Sequence, residues 1–238
     1  MRVLVVSVPR TCSSVATTLI ANAFNLTNLH EIYSIWNGLG DTTPYALKVF
    51  RNRHLNDPLP NLPDSLYSED NYCGKLLSSV FLDRLDYRTF NWAVIDKIVF
   101  TVRADVVDQI ASWLTLEALY ADDPTRTPEA RTAAHGAFTC QVNLARLPFI
   151  AQNFQVFNEL YAYVNAAHPT RCVTISYEMF QAPDAAAQLS AATGWTIQKN
   201  HIDNLESLGL FSNQKNYSVD VTNYAELAAA ARALNLTP

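Results

Sequence analysis

Two short clusters in this chain have residue types and spacing suited to holding an anion. The first is Val8-Pro9-Arg10-Thr11-Cys12-Ser13-Ser14, a polar turn between the apolar run Val3–Val8 and a helical pattern from Val15 to Phe24. A helix start leaves backbone N–H groups unpaired and adds the positive end of the helix dipole. Thr11, Ser13 and Ser14 add hydroxyl donors and Arg10 a fixed charge, a combination that suits a phosphate. The plainer alternative is a strand-turn-helix unit whose serines only cap the helix. The second cluster is Val102-Arg103-Ala104-Asp105, which closes the apolar run Ile98–Val102 and opens a helix carrying Ser112. Arg103 stands where a strand ends, the place where α/β sheets gather ligands, although an Arg that merely caps a strand and a Ser facing solvent are both common.

Other residues invite a chemical reading. Glu31, just beyond the first helix, is a candidate general base; otherwise it is an ordinary solvated acid. Lys48 lies inside the apolar run Tyr45–Phe50, where a charge needs an anion or a route to water. His30 and His54 are weaker candidates for a base, and Lys215 adds a charge to a polar tail at 211–224. The four cysteines, Cys12, Cys73, Cys140 and Cys172, show no metal-ligand spacing. Cys12 alone sits where chemistry is expected; the others read as small buried apolar groups.

The elements that position these groups follow from the pattern of apolar runs. Strands are expected at 2–8, near 28–34, at 45–50, at 98–102 and at 172–176. Helices are expected at 15–24, 76–85, 104–120, 138–167 with an interruption at Pro148, 183–192 with Gly194 as its stop, and 224–234. Residues 55–75, rich in Pro, Asn, Asp and Ser, read as an irregular loop. Strands that alternate with helices predict an α/β fold of three layers, a central mostly parallel sheet flanked by helices. The 238 residues are read as a single domain, with a largely helical segment at about 104–167.

Composition narrows the function classes. With 49% apolar residues the chain can bury a full core. A formal net charge of -5 argues against broad nucleic-acid binding, which wants a basic face. No stretch is long and apolar enough for a membrane span, and no signal-peptide cleavage pattern follows Pro9 and Arg10, so a reduced, cytoplasmic protein is expected.

In order along the chain, these features resemble the sulfotransferases that use 3′-phosphoadenosine 5′-phosphosulfate, which have a P-loop-like fold. The resemblance spans most of the chain in scattered motifs. Val8–Ser14 is similar to the family's 5′-phosphosulfate loop and departs from it at Cys12, where the family usually has Gly. A Cβ at that position narrows the turn's conformations. Val102–Trp113, with Arg103, Asp105, Gln109 and Ser112, resembles the 3′-phosphate motif of the bacterial branch typified by trehalose sulfotransferase. Thr174–Glu178 is similar to a family segment whose Tyr can lie near the adenine, although Met179 and Phe180 replace its Asp and Leu.

The resemblance implies roles. Arg10 holds the bridging and sulfuryl oxygens. Thr11, Cys12, Ser13 and Ser14 form the 5′-phosphate loop, and Arg103 and Ser112 bind the 3′-phosphate. Tyr177 and Lys215 complete the nucleotide site. Animal cytosolic members take their base from a Lys-x-His strand end; Lys48-Val49-Phe50 lacks that His. The bacterial branch uses a Glu after the first helix, which is Glu31 here, with Lys48 contacting the sulfuryl group or the acceptor. The implied reaction is in-line transfer to a hydroxyl of a small molecule or carbohydrate, leaving 3′,5′-adenosine bisphosphate, with no metal needed. Trp36, Trp113, Tyr120 and Phe138 are candidates to line the acceptor site, or are ordinary core. A small-molecule kinase is the competing enzyme, though no G-x-x-x-x-G-K-[ST] loop is present, and a non-catalytic nucleotide-binding module is the third reading.

Overall fold

The computed structural model describes residues 1–31, 71–83, 86–123, 137–207 and 216–237, with the backbone alone for residues 30, 31, 83, 206 and 207. Its centre is a sheet of β1 (Arg2–Ser7), β2 (Thr27–Glu31), β3 (Tyr72–Leu77), β4 (Lys97–Val102) and β5 (Cys172–Ser176). These five strands lie in the order β2-β3-β1-β4-β5 and every pairing is parallel. β1 is central, and Val3 to Val6 are all fully buried, which explains a run with no polar alternation.

The two faces of the sheet bury different helices. On one face, Val3, Val5, Cys73 and Val99 pack against Val15, Leu19 and Ile20 of α1 (Ser13–Phe24). The same cluster takes in α5 (Tyr177–Gln181), α6 (Ala185–Thr193) and α7 (Lys199–Ser207) through Phe180, Leu189, Ile202 and Leu205. On the other face, Leu4, Val6, Ile98 and Phe100 meet α2 (Val80–Asp83), α3 (Val106–Asp122) and α4 (Leu147–Ala167). The short α8 (Tyr217–Asp220) and α9 (Tyr224–Ala233) complete that layer through Tyr217 and Leu227. The result is the three-layer α/β fold expected, with a wholly parallel sheet among the described residues.

Several elements differ from the sequence expectation. The last part of the stretch read as a loop at 55–75, together with Leu76 and Leu77, is β3, buried at every position and paired with β1. Gly74 and Lys75 broke the apolar run that would have announced it. The helix expected at 76–85 starts only at Val80, because Ser78 turns the chain with its N–H donating to the Ser7 carbonyl at 2.7 Å and its Oγ to Asn153 Oδ1 at 3.2 Å. The helix expected from 138 begins only at Leu147. Pro148 lies in its first turn, where a missing N–H costs nothing, so it starts the helix rather than interrupting it. Gly194, at φ 70°, ends α6 in the left-handed conformation expected of a C-terminal stop. The strand expected at 45–50 lies outside the described residues.

Candidate functional site

β1, α1, β4 and α3 bring the two anion-suited clusters together at the C-terminal ends of the strands. The turn after β1 is tightly held. Arg10 and Cys12 both have positive φ, 73° and 61°. Cys12 occupies the position before α1 with no capping hydrogen bond from its side chain. Ser13 and Ser14 lie inside the helix rather than at its cap, which removes the plainer reading of them as N-caps. The first helical bond runs from the Ala16 N–H to the Cys12 carbonyl at 2.9 Å, so the N–H groups of residues 13–15 precede it. A non-glycine residue in this conformation is strained, and such strain concentrates at ligand clamps.

Polar contacts beneath the turn fix its shape. Thr11 is buried, its hydroxyl 2.6 Å from that of Thr101 on β4 and donating to the Val8 carbonyl at 3.1 Å. Its side chain therefore supports the turn from below. Gln109 of α3 donates from Nε2 to the Pro9 carbonyl at 2.9 Å. Arg10 Nε donates to Ser112 Oγ at 2.8 Å, a second direct bond from the turn to α3. On the other flank, buried Lys75 of β3 donates from Nζ to Ser14 Oγ at 2.9 Å. β3 also pairs with β2, with an irregularity between Asn28 and His30 and Lys75 opposite Glu31, so the backbone of Glu31 comes to the same end of the sheet.

Arg103 follows β4 and is 8% exposed. Its guanidinium stacks on the Tyr177 ring at 4.4 Å, and its Nη2 lies 3.7 Å from Asp108 Oδ2. Its Nε is buried and meets no acceptor among the described residues. Leaving a charged donor unmade inside a protein is costly, so the group is suited to an anionic oxygen. Glu178, at the start of α5, accepts the Ala104 N–H at 3.0 Å and so anchors the turn that carries Arg103.

Electrostatics tie these groups into one locality. Burial pushes the Cys12 thiol up to about 12, partly offset by the charges of Arg10 and Arg103, while Glu178 pushes it further up. Cys12 is therefore a neutral thiol at neutral pH, unsuited to nucleophilic attack. Burial also raises the Tyr177 hydroxyl, with Cys12 next in effect and Arg103 opposing.

Of the residues singled out in the sequence, Arg10, Thr11, Cys12, Ser13, Ser14, Arg103, Ser112 and Tyr177 are brought together at this end of the sheet. The side chains of His30 and Glu31, and all of Trp36, Lys48, His54 and Lys215, lie outside what is described. Trp113 is 2% exposed and edge-on to Phe149, so it belongs to the core. Sequence reasoning missed Lys75, Asp108 and Tyr224. The signal that singled out Lys48, a lysine flanked on both sides by apolar residues, is weaker at Lys75, where Gly74 interrupts the run. Among the described residues no group of three His, Cys, Asp or Glu is arranged to hold a metal ion, and no helix is long and apolar enough to cross a membrane.

No family model matches the chain, and no curated protein matches it. Among solved structures the chain is similar to a mouse sulfotransferase, SULT7A1, complexed with PAP, at 10% identity and a TM-score of 0.41, covering 94% of this chain and 71% of that one.

Proposed function

We propose that this chain is a sulfotransferase that moves a sulfuryl group from 3′-phosphoadenosine 5′-phosphosulfate to a hydroxyl of a small molecule or carbohydrate. The observation that carries this reading is the Arg10–Ser112 hydrogen bond, which joins a phosphate-type turn to a second anion-suited cluster at one end of the sheet. The residues present fit a nucleotide with separated anionic groups. The turn at 10–14 with its helix N–H groups suits the 5′ end, and the buried Arg103, with an unmade Nε donor, suits the 3′-phosphate. Tyr177 stacks on Arg103 and supports that guanidinium, and it belongs to the proposal as a residue near the adenine.

When bound, the nucleotide supplies an activated sulfuryl group. Glu31 would take the proton of the acceptor hydroxyl as its oxygen bonds to sulfur and the bond from sulfur to the bridging oxygen breaks. Arg10 would stabilise the charge that develops on the bridging oxygen as its bond to sulfur breaks, and Ser112, accepting from Arg10 through Oγ, would keep its own hydroxyl proton to donate to the 3′-phosphate. Lys75 places a second cation beside Ser14 at the same strand end. Lys48 belongs to the proposal as a contact to the sulfuryl group or the acceptor, and Lys215 as a further charge near the 3′-phosphate. Positioning and fixed charges supply most of the acceleration, as in phosphoryl transfer.

Thermal denaturation with added nucleotide tests the reading. The melting temperature should rise with 3′,5′-adenosine bisphosphate, because a ligand that binds only the native state stabilises it. A rise with ATP and magnesium alone favours a kinase. Bisphosphate binding without transfer to any member of a hydroxyl library favours a binding module.

A further inference from the structure

The contacts around Arg103 continue away from the turn at 10–14 to the C-terminal helix. Tyr224, the first residue of α9, donates from its hydroxyl to Asp108 Oδ1 at 2.8 Å. The other carboxylate oxygen of Asp108 lies 3.7 Å from Arg103 Nη2, close enough for charge pairing but beyond a hydrogen bond. Asp108 is itself fixed. Its N–H donates to the Asp105 carboxylate at 2.9 Å, and it stands in the first turn of α3, where the helix dipole favours a negative charge. Arg103 is thus held on one face by the Tyr177 ring and at one edge by Asp108, while its Nε remains without an acceptor among the described residues.

A carboxylate beside a residue meant for a phosphate is an unexpected choice, because the two anions repel. It makes sense if the carboxylate is already committed and serves to orient the guanidinium. We propose that Asp108 and Tyr224 are positioning residues, with α9 fixing Asp108 and Asp108 fixing Arg103, so that the C-terminal helix sets how strongly a nucleotide 3′-phosphate is selected. This inference rests on the assignment of Arg103 to the 3′-phosphate made above. Neither residue touches the nucleotide in this arrangement; both act through Arg103.

The test is isothermal titration of 3′,5′-adenosine bisphosphate and of 5′-AMP into the full chain, as wild type, Tyr224→Phe, Asp108→Asn and the double variant. Tyr224→Phe should weaken bisphosphate binding roughly three- to tenfold, the worth of one hydrogen bond, and leave 5′-AMP binding unchanged. Asp108→Asn should weaken the bisphosphate at least as much, and the double variant no more than Asp108→Asn alone, since the tyrosine acts through the carboxylate. Equal losses for both nucleotides, additive losses in the double variant, or an unchanged preference for the bisphosphate would overturn the inference. Should Tyr224→Phe misfold, Asp108→Asn, nearly identical in shape, decides the matter by the same comparison of the two nucleotides. A wild type that binds both nucleotides equally removes the 3′-phosphate assignment of Arg103 itself, and the inference falls with it.

Discussion

Arg10 Nε and Ser112 Oγ meet at 2.8 Å, although 102 positions separate them in the chain. The bond crosses from the turn after β1 to the middle of α3, over the edge of the sheet where β1 and β4 run side by side. It fixes the distance between the two clusters before any ligand arrives. Preorganisation of this kind reduces the ordering cost that binding must overcome.

Replacing Ser112 with Ala should therefore weaken 3′,5′-adenosine bisphosphate roughly three- to tenfold, through the lost hydroxyl and a less restrained Arg10. Ser112 is 2% exposed and Ala fits its space, so the melting temperature of the free protein should fall only by the few degrees that one lost hydrogen bond costs. Calorimetric titration checks the first expectation and thermal denaturation the second. An affinity equal to that of the wild type would remove Ser112 from the site.

Lys75→Met should separate turnover from binding. The substitution keeps a buried side chain of similar length but removes the cation beside Ser14. Sulfuryl transfer should fall about 10- to 1000-fold, the cost of losing one charge aimed at the reacting centre, while bisphosphate affinity falls far less. Parallel losses in both would make Lys75 a support of the turn and nothing more.

Glu31→Gln should leave nucleotide affinity intact and abolish most transfer, by roughly 100- to 10,000-fold if the carboxylate is the general base. Initial rates across pH should lose their acidic limb in the variant. Full activity in Glu31→Gln would transfer the role of base to another residue.

Stability should decline in alkali. Burial raises the Cys12 thiol from 9.0 to about 12, and burial with the Asp108 hydrogen bond raises the Tyr224 hydroxyl to about 12. Cys73 is pushed up by burial as well. For an acid whose pKa is raised by folding, the native state holds the proton more tightly, so its contribution is complete below the unfolded value and is lost as pH rises towards the folded one. The urea midpoint should hold up to about pH 9 and then fall, with a shallower fall in Cys12→Ser. A midpoint that rises above that pH, or a slope unchanged in the variant, would contradict this account of Cys12. The same raised thiol should make native Cys12 slow to alkylate at neutral pH and quick once unfolded.

The parts of the site legible in the sequence were those where a short apolar run ends abruptly in a charge. Val8 to Arg10 and Val102 to Arg103 each mark a strand leaving the sheet, and both lie where expected. β3 was harder to see because a buried lysine sits inside it, its ammonium donating to Ser14 of α1, 61 positions away in the chain. Likewise α7 carries a polar sequence in which, among the described side chains, Ile202 and Leu205 alone join the core, too thin an apolar stripe to stand out. Pro148 misled for a local reason, since a proline reads equally as a break or as a first turn. The Tyr224–Asp108–Arg103 chain was invisible for a different reason. It joins α9 to α3 across 116 positions, and no spacing along the chain announces it.

The central claim is that one nucleotide is gripped at two separate anionic ends, by the turn at 10–14 and by Arg103. Titration of 3′,5′-adenosine bisphosphate, 5′-AMP and 3′-AMP into wild type and Arg103→Ala measures this directly. The wild type should bind the bisphosphate more tightly than either monophosphate, and Arg103→Ala should lose roughly 10- to 100-fold, bringing the bisphosphate down to the level of 5′-AMP. Equal affinities for all three in the wild type, or an undiminished preference for the bisphosphate in Arg103→Ala, would contradict it.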